Sequence, residues 1–363
     1  MIKQVGFTLI ELLLSLTLGL IITAAAILLF LTSQKSLSMQ QGVADIQDNA
    51  NFGLNYITKD LRLTNLNNSQ SIINDQTAYG GVVLTSSVNA EVDATGTLLS
   101  NIFPQVEGNT VNVRLLSRSP GTGMTGGAAP MWTGVSNVQI DGKDVLSDQL
   151  TVQYVPQYNT VREGTVDYYD GGFDCEGNAL KFRVNKDATK PTEPFGQQVV
   201  VQRYFLRLDD NNNANEPNQP LALACDAGYY PVDAPKAVPP AVKPPAMEIS
   251  RYGDAGEILM KRVDYFRVLL GVQDINNEMR RYVSINEYMG LAKPHPRIVS
   301  IQIGLLARSS QTVGNEKMIK DDQKFVILDQ TVTVKDPKIT SKYIRQVVSQ
   351  NIALRNAIGE RGQ

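Results

Sequence analysis

Hydrophobic residues crowd the beginning of the chain and then settle into two different rhythms. Leu12 to Gln34 form 23 consecutive residues without a charge. As a helix this run is about 35 Å long at 1.5 Å per residue, enough to cross a hydrocarbon core of roughly 30 Å. Met39, Val43, Ile46, Ala50, Leu54, Ile57 and Leu61 then recur every three or four residues, with Gln40, Asp45, Gln47, Asp48, Lys59 and Arg62 largely off that stripe. The pattern predicts one long helix, a transmembrane half over 7–34 and an amphipathic half over 35–66, stopped by Asn65, Asn67, Asn68 and Ser69. Gly42 and Gly53 weaken its intrinsic propensity.

From about Val82 the period changes to two. TVNVRLLS (110–117), LTVQYVP (150–156), ALKFRVN (179–185) and QVVVQRYFLRL (198–208) read as strands. So do EILMKRVDYFRVLLGV (257–272), RRYVSI (280–285), RIVSIQIGLLAR (297–308) and KFVILDQTVTV (324–334). Residues 342–356 alternate as a strand and also fit a helix through Ile344, Val348 and Ile352. The fold class is therefore α+β, a long N-terminal helix on an enlarged, mostly antiparallel β region. Five prolines in 233–246 forbid a sheet interior there and divide 67–230 from 248–363, with 231–247 as a linker or an exposed loop.

Composition narrows the chemistry more than it names a partner. A net charge of -2 gives no basic excess for nucleic acid, and 42% hydrophobic content excludes a disordered chain. The sole histidine, His295, stands between two prolines and is expected to be an exposed loop residue, which leaves a catalytic triad without support. GTGMTG (121–126) has the glycine spacing of a nucleotide fingerprint, but GAAPMW after it reads as loop where the fingerprint requires a helix. In 209–220, Asp209, Asn211 and Asn213 alternate as oxygen ligands. Ala214 and Pro220 stand where a calcium loop needs Gly and Glu, so the EF-hand is excluded while the stretch reads as a hairpin connection. No catalytic residue, metal or cofactor is assigned.

Only Lys3 is basic ahead of the apolar run, an arrangement that puts the N-terminus in the cytoplasm and the rest outside the inner membrane. An ordinary secretory signal has an apolar core of about 7–15 residues followed by a small-x-small cleavage site; here the apolar run is too long for that and the amphipathic pattern continues past it unbroken, so a cleaved secretory signal fits poorly. Outside that membrane Cys175 and Cys225, the only thiols, are expected to form a disulfide. Glu11, at the edge of a membrane helix, is an expensive residue to place there.

MIKQVG-FTLIELLLSL resembles the signal of type IV prepilins. The resemblance implies cleavage by prepilin peptidase between Gly6 and Phe7, a leader of residues 1–6, and N-methylation of Phe7. It also makes Glu11 the assembly residue that accepts the Phe7 amine of a neighbouring subunit. Major pilins usually carry a helix-weakening proline in this segment; here Leu28 and its neighbours offer none. The type IV pilin fold further implies that the first half of the helix projects and the second half lies against the sheet.

The two central cysteines, VDYFRVLLGVQD, RIVSIQIGLLARS and the ending Leu354-Arg355-Asn356 resemble PilW-type minor pilins, with departures at Leu270 and Gln273. The family's ending favours a strand over 342–356. The resemblance implies a non-enzymatic subunit of a complex that primes type IV pilus assembly. Its partners would be other minor pilins, the major pilin, the inner-membrane pilus assembly machinery and the membrane, and its location the inner membrane and then the pilus tip. A J-type minor pseudopilin of type II secretion and a pilus-tip adhesin are the alternatives.

Overall fold

The computed structural model describes residues 6, 8–96, 98–102, 111–121, 124–190, 192–212, 216–232, 249–274, 279–313, 319–320, 322–335 and 342–357. One helix, α1 (Leu9–Leu61), runs unbroken through the whole apolar and amphipathic pattern. It ends where Asn65 and Asn67 adopt positive φ, a conformation asparagine tolerates better than other side-chain-bearing residues.

Eighteen strands follow: β1 (Gly81–Val82), β2 (Glu91–Val92), β3 (Leu98–Leu99), β4 (Val138–Ile140), β5 (Lys143–Asp144), β6 (Leu150–Tyr154), β7 (Asn159–Glu163), β8 (Val166–Phe173), β9 (Ala179–Arg183), β10 (Gln198–Leu208), β11 (Leu221–Pro231), β12 (Glu257–Lys261), β13 (Val263–Gln273), β14 (Arg280–Ser284), β15 (Arg297–Arg308), β16 (Lys324–Ile327), β17 (Gln330–Val334) and β18 (Arg345–Ala353). A short helix, α2 (Ile285–Met289), starts on the Ser284 capping box with Glu287. The larger sheets have the orders β1-β6-β10-β11-β12 and β14-β13-β15-β18; β16-β17-β4-β5 and the meander β7-β8-β9 are smaller. Every ladder between these strands is antiparallel.

Three strand expectations change. Residues 113–115 form a 3-10 turn, because the Asn112 side chain accepts the Arg114 N–H and caps it. The run 257–272 breaks at Arg262 (φ 58), where the chain passes from one large sheet to the other. Likewise 324–334 is a hairpin, turning at Leu328 (φ 54) and Asp329. The 342–356 stretch is a strand, β18, capped by a 3-10 turn at Arg355–Ala357.

Sheet pairing crosses the proline-rich stretch. β11 pairs with β12 on its far side, and β4 pairs with β17, Gln139 opposite Thr333, so segments before and after 233–248 share sheets. One large core joins α1 to both big sheets: Ala50, Leu54, Ile57 and Leu61 pack with Tyr204, Leu223, Met260, Phe266, Val268 and Ile301. Hydrophobic burial of this kind is the main driving term for docking the helix.

Candidate functional site: the first helix and its seat

The outer half of α1 is built to leave the protein. Its large apolar side chains from Leu9 to Leu37 are exposed, Leu9 at 79% and Leu29 at 73%. The stretch is about 44 Å long, and the helix is long and apolar enough to cross a membrane. Its hydroxyls do not need water. Ser15 and Thr17 donate to the carbonyls of Leu12 and Leu14, and Thr23 and Thr32 to those of Gly19 and Leu28. In hydrocarbon a polar group must find its partner within the protein, and these four do so on the helix itself.

At the start of the helix Glu11 closes a capping box. The Thr8 N–H and hydroxyl both donate to Glu11 Oε2 at 2.9 Å, and the Thr8 hydroxyl accepts from the Glu11 N–H at 3.4 Å. Within the single chain, one carboxylate oxygen is thus engaged by its own N-cap. Gly6 is exposed; Phe7 lies outside the described residues.

The second half is seated by side chains the helical period alone does not select. Val43, expected on the buried stripe, is 36% exposed, and Gly42 takes the inward place. A Cβ at Gly42 would stand 3.2 Å from Ile344 Cδ1, and one at Gly53 3.0 Å from Met260 Cε. Both glycines therefore let the helix lie close to β12 and to the residues before β18, which offsets their poor propensity. Asn49 donates to the Lys261 carbonyl at 2.7 Å, and the Ser310 N–H and hydroxyl donate to Asp45 Oδ2. At the lower end, the Asn356 side-chain amide donates to the carbonyls of Thr64 and Arg62, while the Asn65 amide donates back to the Asn356 carbonyl. The Leu354-Arg355-Asn356 ending is a clasp on the end of α1, with Leu354 fully buried.

Asp60 is the one acid on the buried face of α1 among the described residues, 3.0 Å from the Tyr204 hydroxyl. Burial pushes its pKa up to about 6, against the opposing hydrogen bond from Tyr204. A folded-state value above the ordinary 3.8 means that stability falls as pH rises from about 4 through 6, and stays lower above that. Asp60→Asn is expected to remove this loss, on the order of 3 kcal/mol. Urea midpoints at pH 5 and 7.5 check it: the variant gains at pH 7.5 and its pH dependence flattens.

The cysteines meet as Cys175–Cys225, Cα atoms 6.2 Å apart, fastening the meander β7-β8-β9 to β11 in the main sheet. Several carboxylates are drawn into buried arginine networks. Arg203 and Asp226 are both wholly buried and paired at 2.7 Å. Arg262 holds Asp209 and Glu216, Arg308 holds Glu216, and Arg345 holds Asp264. The 209–220 loop is therefore clamped by guanidinium groups, and a cation there would have to displace Arg262 from Asp209; Asn213 lies outside the described residues. Glu176, Asp226 and Asp254 have carboxylate oxygens within 4.8 Å of one another and could hold a cation only in competition with Arg203. Burial and then these neighbouring acids raise Glu176 to about 7.

His295 is buried, correcting the expected exposed loop residue. Its Nδ1 lies 3.0 Å from Asp75 Oδ2 and its ring 5.2 Å from that of Tyr288, because the 293–296 loop tucks beneath α2. Its Nε2 has no hydrogen-bond partner among the described residues, so no hydroxyl nucleophile stands on it.

A projecting apolar helix whose second half is seated on antiparallel sheets defines a membrane-anchored, pilin-like α+β protein. Residues 229–356 match the family model of the type IV pilus-assembly protein W, which shows the resemblance to PilW-type minor pilins. The matched segment ends on Asn356 and contains Met260, Lys261, Ser310 and Ile344, much of the seat for α1. A type IV-like pilin from Thermus thermophilus is similar at 10% identity, covering 61% of this chain and 84% of that one, with a TM-score of 0.21. No curated protein matches.

Proposed function

We propose that this chain is a minor pilin of the complex that primes type IV pilus assembly and stays at its tip, anchored in the inner membrane with its β region in the periplasm until it is drawn into the filament. The observation that carries this reading is the exposed apolar half of α1 with an acid at its first turn. Cleavage between Gly6 and Phe7 would create a cationic amine at the level of the apolar core. In that setting an opposite charge must meet it, or both groups are costly. Glu11 supplies the charge, to the Phe7 amine of an adjacent pilin. The partners are other minor pilins and the major pilin, with prepilin peptidase and the assembly machinery acting earlier. The role is structural rather than enzymatic.

The test is complementation of a deletion strain with wild-type protein or Glu11→Ala. Wild type is expected to restore surface pili. Glu11→Ala is expected to reach the membrane fraction in equal amount while pilus number falls by about tenfold or more, in line with loss of a partner to a desolvated charge. Full piliation by Glu11→Ala would overturn the role given to that carboxylate. Normal pili in the deletion strain itself would overturn priming; lost attachment alone would indicate an adhesin, and lost type II secretion a pseudopilin.

A further inference from the structure

A half-open cavity of about 290 Å³ lies between the 113–119 segment and α2, away from the helix and its seat. Its walls are mainly apolar, Met124, Ile285 and Met289 among them, and also carry Asn89, Ser117, Ser119 and Asn286. The charged residue lining it is Arg118. The Arg118 guanidinium rests 5.3 Å over the ring of Trp132, and its Nε is buried with no hydrogen-bond partner. The buried arginines Arg203, Arg262, Arg267 and Arg308 each have a carboxylate; the half-buried Arg118 has none among the described residues. Burial, and after it the like charge of Arg114, lowers its pKa. A buried N–H such as Arg118 Nε left unmatched is costly, and such groups in native structures call for a partner.

We infer that this cavity binds a short apolar carboxylate, its acid group on Arg118 and its hydrocarbon against Met124, Ile285 and Met289. A carboxylate matches a guanidinium in charge and in planar hydrogen-bonding geometry. One guanidinium neutralises one negative charge, and apolar walls disfavour a doubly charged, strongly hydrated phosphate. The volume sits at the bottom of the range of ligand pockets, so the apolar body is the size of one aliphatic side chain. A free monocarboxylic acid and a protein chain ending in leucine share this chemistry.

Trp132, the sole tryptophan, stacks against Arg118 and reports binding by its emission. The full chain in detergent micelles is titrated with 3-methylbutanoate, 3-methylbutanamide, and acetyl-Ala-Ala-Leu with a free or an amidated terminus. The acids are expected to give a saturable change and both amides none. Tighter binding of the free-terminus peptide than of 3-methylbutanoate assigns the site to a chain end; equal binding assigns it to a free acid. Arg118→Gln is expected to weaken binding by about tenfold or more. Met289→Glu, which puts a competing charge into the cavity, is expected to abolish it. Equal responses to acid and amide, no saturable change, or unaltered binding by Met289→Glu would each overturn the assignment.

Discussion

Arg203→Ala is expected to lower the stability of the β region by about 3–5 kcal/mol, the loss typical when one member of a buried ion pair is removed. Arg203 lies on β10, fully enclosed, and its guanidinium serves three separate segments. It pairs with Asp226 of β11, donates to the Pro130 carbonyl at 2.8 Å, and donates to the Asp254 carbonyl at 2.8 Å. Without it Asp226 remains wholly buried with its charge unmatched; burial already lifts its pKa to about 6 with the arginine in place. Urea unfolding followed by Trp132 emission measures the change. Arg203→Met combined with Asp226→Leu is expected to recover much of the loss, since an apolar pair carries no stranded charge. A double variant no more stable than Arg203→Ala would show that the two carbonyl contacts matter more than the ion pair.

Removing the disulfide is the second large effect. Cys175→Ser with Cys225→Ser opens a loop of 50 residues, and the chain-entropy relation puts the loss at about 4 kcal/mol. The loss falls on a part of the fold that has little else to hold it. β7 is exposed along its whole length, and the meander's own packing against the body rests on a small cluster of Tyr154, Leu180, Phe182 and Val200. Wild-type protein should therefore lose stability in reductant by about the same amount, whereas the double variant should be indifferent to it. A wild-type urea midpoint that does not move on reduction would refute the contribution.

The sequence was most legible where one physical demand dominated. The uncharged run and the helical stripe predict α1 because a helix apolar enough to cross a membrane is written as a continuous apolar run, and burial of one helix face as a period of three to four. The ends of β10 and β15 fall at the expected residues, 198–208 and 297–308, since both are long, largely apolar stretches bounded by turn residues, Gly196 and Asp209 for one, Pro296 and Ser309 for the other. What was hidden depended on contacts between distant segments. Arg262 looks like one polar residue in a strand, yet it turns the chain between sheets with positive φ and clamps Asp209 and Glu216. Gly42 reads as a helix-weakening residue until Ile344 is placed against it. His295 between two prolines has every local mark of an exposed turn, and only the approach of Asp75 and Tyr288 buries it. At Glu11 the residue and its unusual cost are legible, and the signal for the Thr8 box is there too, a Thr three residues ahead of a Glu at a helix start.

The clasp of Asn356 on the end of α1 has a consequence for the order in which the molecule is made. The inward face of the helix is translated within the first 61 residues, but much of its cover comes late, from Met260, Ser310, Ile344 and Asn356. Contacts separated by 200 to 300 residues carry a large loop-closure penalty and form late. The second half of the helix therefore lacks much of its cover until almost the entire chain has been made. During that interval part of the face carrying Ile46, Ala50, Leu54 and Ile57 is open to any other partly folded chain, and the seat is complete only with the final strand.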